Sequence, residues 1–190
     1  MKIGLDLDGV LCDLGPGVSA RIAERFGLAT HPATWRSYDL RRLDLGLPED
    51  RFGAFLDEIF ADADLYGEAP VTCGAVTGVA QLRAAGHTVV GITARHAHLA
   101  EVTTRWLAAT GLVLDGVHHT RVGTKAKVAA DLGVEATVED NPTEAELLAE
   151  VCRSYLLDHP YNRDVVLHRA RRIHSWDELV GRLCQLRLFA

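Results

Sequence analysis

Residues 3–13 read Ile3-Gly4-Leu5-Asp6-Leu7-Asp8-Gly9-Val10-Leu11-Cys12-Asp13. Residues 3–7 form a short apolar strand that runs directly into acids and a glycine. Gly9 suits a sharp turn at which a side chain would obstruct the strand end. A buried strand that delivers carboxylates and then turns is the signature of an open α/β sheet, where ligands bind beyond the carboxyl ends of the strands.

Further along the chain the same pattern recurs. Residues 87–92, His-Thr-Val-Val-Gly-Ile, read as a buried strand entering Thr93-Ala94-Arg95. Ala136-Thr137-Val138 is another, ending at Glu139-Asp140-Asn141-Pro142, and Ser154-Tyr155-Leu156-Leu157 is a fourth, ending at Asp158. Helical patterns cover 74–85, 99–110, 125–132, 142–151 and about 176–186, the last with Ser175 as N-cap. This alternation predicts an α/β fold, a Rossmann-like three-layer core around a parallel sheet. With neighbouring strands, carboxylates, a hydroxyl and the Lys125 ammonium converge on one rim. Residues 14–69 break the rhythm, with helical segments at 18–26 and 51–61 and loops holding Pro32, Gly46 and Pro48. They are expected to form a small helical cap inserted after the first strand, over a core of 1–13 and 70–190.

A chain of 190 residues buries a core without covalent staples. Its formal charge of −6 and its lack of a basic arm argue against a nucleic-acid polymer as partner. Cys12, Cys73, Cys152 and Cys184 are scattered without a CxxC pair, which favours reduced thiols in a cytoplasmic protein. Acids interrupt the N-terminus too early for a signal peptide, and no apolar run has the length of a membrane span. A soluble protein with no membrane partner is expected. Sequence leaves the oligomeric state open.

The strand-end residues resemble the four motifs of the haloacid dehalogenase (HAD) superfamily, in order: Asp6-Leu7-Asp8-Gly9-Val10-Leu11, Thr93, Lys125 and Glu139-Asp140. The resemblance implies a phosphatase with Asp6 as nucleophile and Asp8 as general acid/base. It implies that Thr93, the amide of Ala94 and Lys125 bind the phosphoryl group. Mg2+ would be held by Asp6, Asp140 and the backbone carbonyl of Asp8, with Glu139 behind them. Lys127 rivals Lys125, which is preferred because it opens its helix beside the rim. The chemistry is coherent: a hard cation relieves repulsion between carboxylate and phosphate dianion, and a lysine and hydrogen-bond donors stabilise the transferring oxygens. Asp8 would protonate the leaving oxygen, helped by crowding from other carboxylates. Superfamily members that cleave carbon–halogen bonds generally lack an aspartate there, so Asp8 favours an oxygen leaving group.

A narrower resemblance is to the 5′(3′)-deoxyribonucleotidase group and its bacterial relatives. It rests on residues 6–13, on Ala69-Pro70-Val71 with Gly74-Ala75-Val76, on Pro160-Tyr161-Asn162-Arg163, and on Arg172-Ile173-His174-Ser175-Trp176. It implies (deoxy)nucleoside monophosphates as small phosphorylated substrates, although Ala94-Arg95 stand where the animal enzymes have Ser-Pro. Trp35, Tyr38 and Phe52 are candidates to stack on a base, against a competing reading as filler of the cap. Arg95 is read either as a substrate contact or as half of a rim salt bridge. Asp13 is read as a helix cap, Trp176 as core, and His96, His98, His118 and His119 as surface residues. Two other readings stand: a phosphatase of a sugar phosphate or biosynthetic intermediate, and a non-catalytic scaffold that binds a phospho-ligand.

Overall fold

The computed structural model describes residues 1–185. Six strands form one parallel sheet: β1 (Lys2–Leu5), β2 (Thr88–Thr93), β3 (Val117–His119), β4 (Ala136–Glu139), β5 (Arg153–Leu157) and β6 (Arg171–Ile173). Their order is β3-β2-β1-β4-β5-β6, every pair parallel. This is a doubly wound α/β sheet, in which the winding direction reverses between β1 and β4. β1, β2, β4 and β5 are almost wholly buried, in keeping with their largely apolar composition. The three-layer α/β fold expected from the sequence is present.

Two strands went unread. β3 (Val-His-His) and β6 (Arg-Arg-Ile) have three residues each and lie at the two sheet edges, so neither carries an apolar run. β1 also stops two residues early. After Leu5 the chain leaves the ladder, and Leu11 N and Cys12 N both donate to Leu7 O, at 2.8 and 2.9 Å.

Eight helices accompany the sheet among the described residues: α1 (Gly15–Phe26), α2 (Glu49–Ala61), α3 (Ala63–Gly67), α4 (Ala75–Ala84), α5 (Ala100–Thr110), α6 (Lys125–Asp131), α7 (Pro142–Leu148) and α8 (Trp176–Gln185). α7 is capped by the Asn141 side chain, which accepts from Thr143 N and Glu144 N. Ser175 Oγ accepts from Glu178 N at 3.1 Å, the expected cap of α8. The last residue expected in that helix, Leu186, lies outside the described residues.

Residues 15–67 contribute α1, α2, α3 and two 3-10 turns, and no strand. Val18, Ile22, Trp35, Phe52, Phe55, Leu56, Ile59, Leu65 and Tyr66 gather into their own apolar cluster, closed by Leu99 and Val102 from the start of α5. The segment leaves and rejoins the sheet through paired strands of chain: Asp13 N donates to Pro70 O and Thr72 N to Leu11 O, both at 2.9 Å. The main core lies around β1, where Trp176 fits against two glycines of the α4 region and donates from Nε1 to Val10 O at 3.2 Å.

That fit yields a stability prediction. A methyl at Gly78 would overlap Trp176 Cε3 and come within 3.1 Å of Cζ3, and the ring is buried. Gly78→Ala should cost roughly 1–3 kcal/mol in urea unfolding. Gly181→Ala in α8, where the added methyl meets nothing within 4 Å, should stabilise by about 0.4–1 kcal/mol.

Candidate active site

Leu5 pairs with Val138, and Asp6 N donates to Val138 O at 2.9 Å, so Asp6 leaves β1 beside Glu139 and Asp140 as they leave β4. All three side chains are buried, and each offers a carboxylate oxygen within 4.8 Å of the others. Lys125, the first residue of α6, reaches in from one side. Its Nζ lies 2.9 Å from Asp6 Oδ2 and 2.7 Å from Glu139 Oε1. Lys127 is exposed and pairs with Asp131 at 2.6 Å, so of the two lysines it is Lys125 that lies against the acids.

Gly9 lets the acids approach. Its φ is +76°, and a methyl there would overlap Asp140 Oδ2 and lie 2.8 Å from Asp140 Cβ. Asp6 Oδ1 accepts from Leu7 N at 2.8 Å, and Asp140 Oδ2 from the Tyr161 hydroxyl at 2.7 Å. Glu139 Oε2 and Asp140 Oδ1 are buried without a protein hydrogen-bond partner. Such atoms are costly unless something else satisfies them. An all-oxygen donor set with unpartnered, buried carboxylate oxygens fits a hard divalent cation. Glu139 belongs to this cluster together with Asp6 and Asp140.

The electrostatics follow from the crowding. Burial raises the Asp6 carboxyl above its ordinary value, against the attraction of Lys125. Burial and the charge of Asp6 do the same more strongly to Glu139. Burial, then Asp6, pushes Asp140 up to about 8. Burial opposes the Lys125 charge, but Asp6 and Glu139 hold the ammonium above its usual range.

The other expected residues divide. Asp8 lies close enough for its charge to act on Asp6 and Asp140, while its hydrogen-bond partners are a guanidinium and a thiol. Arg95 Nη2 donates to Asp8 Oδ1 at 2.6 Å, and the Cys12 thiol to the same oxygen at 3.3 Å. Arg95 is therefore the salt-bridge partner of Asp8, and its nitrogens are occupied rather than turned to a substrate. Thr93 is fully buried at the end of β2, its Oγ1 accepting from Arg95 N at 3.2 Å, while Ala94 reaches the cavity surface. Asp13 Oδ1 accepts from Gly15 N at 2.9 Å, but the N-cap of α1 is Leu14, which makes no side-chain cap bond, so Asp13 sits one residue before the expected capping position and borders the cavity.

A cavity of about 500 Å³ opens over these groups, between the strand ends and residues 14–66. Tyr38, Trp35, Tyr66 and Tyr161 line it with apolar side chains of α1 and α2. Tyr38 is 44% exposed and meets Tyr161 edge-on at 6.1 Å. Trp35 is mostly cap filler, 4% exposed with Nε1 donating to Thr30 Oγ1 at 2.9 Å. Phe52 lies within the apolar cluster and does not border the cavity, which removes it from the stacking candidates. His96 and His98 stack on each other at 5.6 Å, and none of the four noted histidines joins the acidic cluster.

Sequence reasoning missed the loop after β5 as part of the site. His159 Nε2 bonds Gly9 O at 2.7 Å, its ring stacked on Tyr161 at 4.9 Å. Asn162 Nδ2 donates to Asp140 O at 2.8 Å and to Leu157 O at 2.9 Å. The signal was present in Pro160-Tyr161-Asn162-Arg163, noted only for its resemblance.

The comparisons agree with this geometry. The family model for 5′ nucleotidase, deoxy (Pyrimidine), cytosolic type C protein matches residues 1–188. The chain belongs to this family. It is 29% identical over 182 residues to a "putative nucleotidase" of Halalkalibacterium halodurans, covering 93% of this chain and 89% of that one. A second relative, a "putative nucleotidase" of Bacillus subtilis, is 23% identical, with 95% and 92% covered. Among solved structures, a HAD family hydrolase of Deinococcus radiodurans R1 with bound phosphate and sodium superposes with TM-score 0.69 at 21% identity, covering 98% and 96%. The D,D-heptose 1,7-bisphosphate phosphatase of B. bronchiseptica, complexed with magnesium and phosphate, gives 0.56 at 17% identity, covering 98% and 99%. These likenesses establish the fold. With the family, they make this nucleotidase-family protein a HAD-type phosphoric monoester hydrolase.

The raised carboxyl predicts a pH effect on stability. Asp140 stands at about 8 in the folded chain against an ordinary 3.8, so the native state keeps a proton that the unfolded chain releases. The associated stability is complete below about 3.8 and is lost as pH rises through about 8. In EDTA, the urea midpoint should fall over this range more steeply in the wild type than in Asp140→Asn. Parallel slopes would show that Asp140 is not the group responsible.

Proposed function

We propose that this chain is a Mg2+-dependent phosphomonoesterase that acts on (deoxy)nucleoside monophosphates through an aspartyl-phosphate on Asp6. The observation that carries the reading is the meeting of Asp6, Lys125 and Asp140 at the floor of one cavity, with Glu139 beside them and two carboxylate oxygens left unpartnered. A cation held by Asp6, Asp140 and the Asp8 carbonyl would neutralise charge between the nucleophile and the phosphate dianion.

The protein's own residues do the rest. An Asp6 carboxylate oxygen attacks phosphorus as the bond to the ester oxygen breaks, and Asp8 gives that departing oxygen a proton. A water then attacks phosphorus in the acyl phosphate, Asp8 takes its proton, and inorganic phosphate leaves with Asp6 restored. Lys125, anchored by Glu139, offsets negative charge on the transferring oxygens, with the Thr93 hydroxyl and Ala94 amide as donors. The inserted helices would exclude bulk water from the cavity. The nucleotide reading is supported by the family and by Tyr38 and Tyr161 on the cavity wall, which suit a flat base. A cytoplasmic location fits the family and four unbridged cysteines. Among the described residues no helix is long and apolar enough to cross a membrane.

With p-nitrophenyl phosphate and a panel of nucleoside monophosphates, Asp6→Asn should lose on the order of 10⁴-fold or more in kcat, and EDTA should abolish turnover until Mg2+ is restored. Asp8→Asn should cost roughly 10²–10⁴-fold. Undiminished turnover by Asp6→Asn refutes the mechanism. Indifference to every nucleotide, with hydrolysis of sugar phosphates, refutes the substrate class alone.

A further inference from the structure

Arg95 is a buried arginine that has no role in the chemistry above. Its side chain is 0% exposed, whereas that of Asp8 is 28% exposed. Its Nε donates to both oxygens of Asp8, at 3.0 and 3.1 Å, and Nη2 donates to Oδ1 at 2.6 Å and to Cys12 Sγ at 3.1 Å. Nη1 is held at 3.0 Å by Thr103 Oγ1, on α5. The guanidinium lies 4.6 Å from the Tyr66 ring, on α3 of the inserted segment, and 6.0 Å from the Trp106 ring on α5.

Each contact restricts Arg95. Its backbone is fixed by Arg95 N donating to Thr93 Oγ1, and its guanidinium plane by one hydroxyl and two aromatic rings. A planar fork held on all sides presents a fixed pair of donors to a carboxylate. Asp8 stands immediately before the Gly9 turn and, among the described residues, has no other charged partner at hydrogen-bond distance. Its orientation toward the cavity is therefore set by Arg95. The Nε–Nη2 edge of the guanidinium is taken by Asp8 and Cys12, and Nη1 is engaged by Thr103.

We infer that Arg95 is the positioning residue for Asp8, holding the acid/base at the point where the leaving oxygen and then the attacking water must pass, with Tyr66 of the inserted segment as its backstop. The inference rests on Asp8 serving as the acid/base in the proposed function. It adds that Arg95 acts only through Asp8 and that the insertion contributes to orienting it.

A double-mutant cycle tests this, because a residue that works through a second loses its effect once the second is gone. Arg95→Met should lower kcat for an alkyl phosphate by roughly 10²-fold, the scale of a misplaced catalytic group, with KM little changed. In the Asp8→Asn background the same change should cost less than about 3-fold, since a coupled pair is non-additive. With p-nitrophenyl phosphate, whose leaving group needs no proton, Arg95→Met should show a burst of p-nitrophenol and a build-up of phosphorylated Asp6, because only the water step is slowed. A merely structural or phosphate-binding arginine would instead cost the same in both backgrounds and raise KM, and that result overturns the inference. If Arg95→Met does not fold, as judged by circular dichroism, Arg95→Lys keeps the charge without the fork and is read by the same criteria. Full activity of Asp6→Asn would sink the proposed function instead, and is seen separately.

Discussion

The structure depends on a buried ammonium set between buried carboxylates. Asp6, Glu139 and Asp140 are gathered within a few ångströms, and Lys125 Nζ lies within 3 Å of two of them. Such a cluster of like charges opposes folding unless it is compensated, and removing one partner of a buried pair leaves an uncompensated charge. Lys125 offsets part of the cost, and two carboxylate oxygens stay unmet. Groups held in this way mark functional sites, where pKa values are displaced by burial and close charges.

Sheet topology places this cluster. Because winding reverses between β1 and β4, the crevice at their carboxyl ends is not covered by a connecting helix, and Asp6 and Asp140 stand on its two sides. The tight turn at Gly9 keeps the crevice floor narrow, and Asp6 and Asp140 carry carboxylate oxygens within 4.8 Å of each other. The helical insertion then closes the roof, its own apolar cluster completed by Leu99 and Val102 from the core. Tyr66 and Tyr38 belong to that roof, one against Arg95 and the other against Tyr161, so it touches the neighbours of Asp8 and of Asp140. Cap and catalytic floor are thus parts of one packed unit.

Much of the fold was legible because a strand buried on both faces carries a largely apolar run, as Ile3–Leu5, Val89–Ile92, Ala136–Val138 and Tyr155–Leu157 do. The edge strands β3 and β6 carry histidine and arginine, and nothing local distinguishes them from loop. Helix positions were read to within a few residues. For the site, the positions of Asp6, Thr93 and Asp140 at strand ends and of Lys125 at a helix start follow from alternation of strand and helix. Tyr161 and Asn162 did not follow, because they come from a loop whose contact with Asp140 exists only after β5 has been laid beside β4.

The sequence by itself determined the α/β class, the acids at the ends of β1 and β4, and the helical nature of residues 15–67, since periodicity and local turn chemistry are properties of neighbours along the chain. Only the tertiary structure decided that Lys125 faces the acids while Lys127 faces water, that Arg95 grips Asp8, that Phe52 is filler and that Tyr161 bonds Asp140. Residues two apart on a helix point to opposite sides, and which side meets the acids depends on how α6 lies on the sheet. Pairings across more than eighty residues are settled by packing, which no local pattern records.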